Sequence, residues 1–259
     1  MKSAFMLSKL FGVASISFLM LGASAFAYPA SVRSIDQDVL SHQTTPGNKI
    51  LDTVTPKVAT ASLSTLDYLS PLEREIIAVT NQVRMNPAGY AEKLRQLRSH
   101  YRGNLVKFPG QPLLETWEGV SALEEAISAL GNTSSLPPLI PSRGMSRATA
   151  DHVNDLGPEG YVGHYGRDGS SPFTRMNRYG DWAIVPGESI AGENISYGPF
   201  TEGEWHVIQL LIDDGDRSRG HRNVILNPRY RIMGVSCGAH ATYDTVCVID
   251  YASHYIESH

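Results

Sequence analysis

A chain of 259 residues is long enough for one large domain or two small ones. Its 42% hydrophobic share can bury a core, and 19% charged residues are too few for a disordered chain. A net charge of −4 without a basic stripe argues against nucleic acid as a partner.

Met1, Lys2 and Lys9 make a short basic start, followed by an apolar run over residues 10–21. Ala25-Phe26-Ala27 fits the small-x-small cleavage pattern, so residues 1–27 read as a secretory signal peptide with the mature chain from Tyr28. The alternative is an uncleaved anchor, but the run is short for a span and is interrupted by Ser15 and Ser17. The expected location is secreted or periplasmic, with no stable membrane span after cleavage. In such an oxidising compartment Cys237 and Cys247 can pair only with each other within one chain. A loop that short makes the bridge worth about 3 kcal/mol in the chain-entropy account.

Residues 28–65 are rich in Ser, Thr, Pro and Gln without a sustained period and read as a flexible linker. The domain is expected over 66–259. Ser70-Pro71-Leu72-Glu73 sets an N-cap, a proline at the first helical position and an acid at the third. Leu72, Ile76, Val79 and Val83 then repeat at helical spacing. Asn86-Pro87 breaks this helix and starts a second over 88–97. Residues 108–112 are turn-rich. A third helix is expected over 117–130 and a fourth up to Leu156, introduced by Ser142 or Ser146. A short helix follows over 173–179, a strand around 194–197, and a helix over 202–213. The chain closes with β-rich segments at 233–240 and 245–254. If His240 faces Asp244, then Cys237 faces Cys247, Val235 faces Ile249 and Met233 faces Tyr251. The other face carries Ile232, Val246, Val248 and Ala252. A sheet apolar on both faces requires helices on both sides, an α+β fold built as a three-layer α-β-α sandwich with a mainly antiparallel sheet.

Two polar clusters flank the apolar stretch 207–212: Gly192-Glu193-Asn194-Ile195 before it and Gly220-His221-Arg222-Asn223 after it. Glu193 opens an apolar strand, where it is either held by an arginine (Arg175 or Arg222) or placed in a cleft. His221 sits where polar loop meets core. Asp214, a short loop upstream, could fold back to orient its imidazole; otherwise Asp213 and Asp214 only close a helix. His164 lies in a glycine-bounded loop, a common place for functional groups. Nucleophilic catalysis has little support: there is no Gly-x-Ser-x-Gly elbow, and Ser218 reads as an ordinary loop serine.

The ordered constellation resembles the CAP superfamily, also called the SCP domain (cysteine-rich secretory proteins, antigen 5, pathogenesis-related 1), in its bacterial-type branch. The matching pieces are Asn81-Gln82-Val83-Arg84, Asn86-Pro87, Tyr90-Ala91, Gly163-His164, Gly192-Glu193-Asn194-Ile195, Gly220-His221-Arg222 and the closing strand pair. The resemblance implies a cleft holding two histidines and two acids, here His164, His221, Glu193 and Asp214. The second acid is a departure, since Asp stands at the expected glutamate and Leu211 replaces the tryptophan three residues before it.

What the resemblance implies for function is an exported binding module whose cleft takes a divalent cation, zinc first, on His164 and His221 with Glu193 available, or a small ligand. Partners would be a small ligand, a lipid or an extracellular protein. Two alternatives stand beside it. One is a metal-dependent hydrolase of protease or esterase type with Glu193 as base. The other is a structural or partner-recognition domain. The reading favours binding over catalysis and assigns no catalytic residue.

Overall fold

The computed structural model describes residues 66–258 and the backbone of a four-residue strand, β1 (Phe18–Leu21). The signal-peptide and linker readings otherwise lie outside the described residues. α1 (Pro71–Met85) starts as its sequence dictates: Ser70 Oγ accepts from the Glu73 amide while the Glu73 carboxylate accepts from the Ser70 amide. Asn86 ends it and caps α2 (Pro87–Arg95), its side chain accepting from the Gly89 amide. A 3₁₀ turn, Gln96–His100, leads into a small meander, β2 (Tyr101–Arg102), β3 (Leu105–Lys107) and β4 (Leu113–Glu115).

α3 (Val120–Gly131) begins three residues later than the sequence implied. Gly119 adopts φ 59°, and the amides of Trp117 and Glu118 are bound to Asp214 rather than to a helix. The next elements are β5 (Ile140–Pro141), α4 (Arg143–Leu156) capped by Ser142, α5 (Pro172–Met176) and β6 (Gly180–Asp181). The central strand β7 (Ile190–Gly198) leads to α6 (Gly203–Ile212) and α7 (Gly220–Ile225). The chain finishes with β8 (Ile232–His240), β9 (Asp244–Ala252) and β10 (Ile256–Glu257).

The main sheet runs β1-β7-β9-β8-β5, antiparallel except for the β5–β8 pair. The β8–β9 hairpin has the expected register, with His240 opposite Asp244 and Cys237 opposite Cys247, and the two cysteines are bridged. Met233, Val235, Cys247, Ile249 and Tyr251 face the large core built with α1, α2, α3 and α6. On the other face Ile195, Tyr197, Val246 and Val248 pack on Val153 and Leu156 of α4. Ala191 and Ala252 meet Met145, Ala148 and Met176 of α4 and α5. Gly234 permits this contact: a Cβ there would sit 2.3 Å from the backbone of Met145. The α-β-α sandwich expected from two apolar sheet faces is therefore present.

The motif around Asn81 and Arg84 is structural. Asn81 bonds both the amide and the carbonyl of Leu139. Arg84, fully buried, donates to the carbonyls of Pro137, Ile225, Asn227 and Tyr230 and so ties α1 to the α3–β5 and α7–β8 connections. No helix among the described residues is long and apolar enough to cross a membrane.

Candidate functional site

β7 carries Glu193 into the α4/α5 side of the sheet. Its Oε1 lies 2.7 Å from His164 Nδ1 and its Oε2 accepts from Arg175 Nη2 at 2.7 Å. Arg175, which is 1% exposed, also donates to the carbonyls of His164 and Ser170 and so fixes the loop that presents the histidine. Burial alone would push the Glu193 carboxyl up. The His164 hydrogen bond and the Arg175 charge outweigh it and hold the group below the ordinary glutamate range. Of the two arginines considered from the sequence, Arg175 is the partner, and both carboxylate oxygens are engaged.

Directly across from Glu193 on β9 stands Asp250, fully buried. Neither of its oxygens has a donor to accept from. Burial, and then the neighbouring Glu193 charge, raise its carboxyl well above the ordinary aspartate value. His152 lies in the same layer, its Nε2 2.8 Å from the Gly163 carbonyl and its Nδ1 buried without a partner.

The second histidine is built at the end of α6. Asp213 takes the left-handed conformation there, φ 56°, which Asp tolerates better than most residues. Its carboxylate then reaches the start of α7: Oδ1 lies 2.6 Å from His221 Nδ1, and Oδ2 accepts from the amides of His221 and Arg222. The acid that orients His221 is therefore Asp213, not Asp214. Asp214 turns the other way and clamps the amides of Trp117 and Glu118 at 2.7 and 2.9 Å, although it still lines the pocket beside His221. Burial raises its carboxyl, against the pull of those two amides. The reason is backbone geometry: the left-handed turn at Asp213 sends consecutive side chains to opposite sides. Arg219, also left-handed at φ 53°, braces the loop through Glu118 and Glu125.

Each imidazole thus gives its Nδ1 to a buried carboxylate, which leaves the lone pair on Nε2. Among the described residues the ligand-bearing side chains that gather within coordinating distance are Asp213, Asp216 and His221, one atom from each lying within 4.8 Å of the others. The set expected from the sequence, His164 and His221 with Glu193, is not gathered into such a group among the described residues. Asp216 was not anticipated. It sits in the polar loop before α7, accepting from the Ser218 amide and hydroxyl. This accounts for Ser218 as a loop residue.

Beside His221 opens a pocket of about 120 Å³. Its lining includes the apolar side chains Phe108, Trp205, Ile195, Tyr197, Phe200 and Tyr243 together with Asp213, Asp214, His221 and Trp117. His164 and Glu193 do not line it. The Gly163–Ser170 loop is a turn held by Asp168, which accepts from the Ser170 amide.

A three-layer sandwich with two histidines held on buried carboxylates defines a class of domain, and comparison with known proteins places it. The chain belongs to the cysteine-rich secretory protein family (CAP), whose family model matches residues 77–251. Among solved structures it is similar to an extracellular SCP-domain protein from Bacillus anthracis str. Ames, at 24% identity and a TM-score of 0.34. That match covers 45% of this chain and 34% of the other, so the chain spans about a third of that protein. It is also similar to an outer surface protein from Borrelia burgdorferi, at 15% identity, a TM-score of 0.35, and coverage of 45% of this chain and 78% of that one. No curated protein matches it.

Proposed function

We propose that this is an exported binding module that holds a divalent cation at the His221 end of its pocket, on His221, Asp213 and Asp216. The observation that carries this reading is the group of one imidazole and two carboxylates within 4.8 Å. One nitrogen and two oxygens suit zinc or a similar borderline ion. Ligand atoms of one tetrahedral zinc lie roughly 3.3 Å apart, so the set needs only a modest closing. The aromatic walls of the adjoining pocket support a small apolar ligand bound next to the ion. The family and the apolar start of the chain support export.

Calorimetric titration of Zn²⁺ at about pH 7.5, where histidines are mostly neutral, tests this. The expected result is saturable binding that His221→Ala and Asp216→Asn abolish and His164→Ala leaves intact. Absence of binding to the wild-type chain would sink the cation reading. Loss with His164→Ala alone would move the ion to the other histidine.

A further inference from the structure

β7 is paired along its inner side with β9 over Ala191–Gly198 and along its outer side with β1 over Ile190–Glu193. The rest of that outer edge, from Asn194 on, has no strand beside it among the described residues. There Ile195 and Tyr197 line the pocket that His221 closes. One continuous strand edge therefore has a half that already pairs with a strand and a half that lies beside an apolar pocket. An unpaired edge is a template for adding a strand.

The register gives the direction. Phe18 stands opposite Glu193 and Leu21 opposite Ile190, so the segment runs antiparallel to β7. Positions two and four residues N-terminal of the Phe18 position fall opposite Ile195 and Tyr197. Strand addition recognises backbone and asks little of sequence, while the pocket walls, Phe108 and Trp205 among them, favour apolar side chains. The one acid on this stretch of β7, Glu193, is neutralised by Arg175 and presents no net charge to an incoming chain.

The geometry points to the outer edge of β7 as a receptor for an extended apolar peptide. The peptide adds antiparallel over Ile190–Glu193, as the chain's own Phe18–Leu21 does, and runs N-terminally into the pocket at Ile195 and Tyr197. The sequence expects residues 1–27 to leave on export, which frees this edge for a peptide from outside.

The test uses the full chain with its leader retained, and a Leu19→Pro/Met20→Pro variant that removes two adjacent donors from β1, whichever of them faces β7. The probe is a fluorescein-labelled synthetic peptide of residues 14–22, followed by anisotropy in EDTA so that cation binding plays no part. The variant is expected to bind it with a micromolar dissociation constant and the wild type at least ten-fold more weakly. The same peptide carrying both prolines is expected not to bind. Amide exchange over 190–193 should be at least ten-fold faster in the variant than in the wild type. Equal binding of the proline peptide, equal binding to both proteins, no binding to the variant, or equal exchange in both would each overturn the proposal.

Discussion

Asp213 is the residue on which the His221 end depends, and removing its carboxylate has a magnitude the structure fixes. In Asp213→Ala the His221 ring loses an acceptor at 2.6 Å and the His221 amide one at 2.9 Å, at a position only 4% exposed. The Arg222 amide, at 3.4 Å, loses a weaker one. Hydrogen bonds to a charged group are worth about 1.5–3 kcal/mol each, and the stranded donors are buried. Alanine in the left-handed conformation adds roughly 1–2 kcal/mol. The expected loss is about 4–8 kcal/mol. Asp213→Asn keeps one of the two oxygen acceptors and a residue that accepts φ 56°, but loses the charge and sets an NH2 group against the donors served by the other oxygen, so about 2–3 kcal/mol is expected. Urea unfolding at pH 7 in EDTA, followed by circular dichroism, measures both. An alanine variant costing under about 1 kcal/mol, or an asparagine variant as costly as alanine, would refute the argument.

The other histidine makes a parallel case. Arg175→Met strands the fully buried Glu193 charge, and a cost of about 3–5 kcal/mol is expected in urea unfolding. Adding Glu193→Gln to that variant should recover part of the loss; no recovery would show that the cost comes from packing. Asp250→Asn replaces a group whose charged form the fold disfavours. With its folded value raised above the ordinary 3.8, the wild-type penalty is absent below that pH and grows as pH rises towards the folded value. The variant should therefore match wild type near pH 3.5 and gain on it steadily towards neutral pH. A variant less stable than wild type at pH 7 would contradict this.

How much the chain discloses before folding differs between fold and site. The hairpin register was legible because a period-two pattern and one cysteine pair admit a single alignment that also matches the apolar residues. The Ser70–Glu73 cap was legible because capping is local. The start of α3 was not, because the Trp117 and Glu118 amides that would have opened the helix are held by Asp214, 96 or more positions away. α7 left no helix signal of its own for a similar reason: its first amides are capped by Asp213 rather than by an adjacent side chain. The site followed the same rule. His164 and His221 stood out by their glycine-flanked setting, and each is held on a buried carboxylate. Which aspartate serves His221 was decided by a left-handed turn, a backbone choice that an Asp-Asp pair does not disclose. Asp250 did leave a signal, a lone acid within the apolar run Val246-Cys247-Val248-Ile249 of an inner strand. Its partner across the ladder could be named only once β7 was paired with β9.

The account's central claim is the cation site on one histidine and two aspartates. X-ray absorption at the zinc edge on the Zn²⁺-loaded chain tests it most directly, since imidazole rings leave an outer-shell scattering signature that can be counted. The expected spectrum fits a single imidazole with oxygen ligands making up the rest of the shell. A shell requiring two imidazoles would place the ion on His164 as well as His221 and contradict the assignment to His221, Asp213 and Asp216.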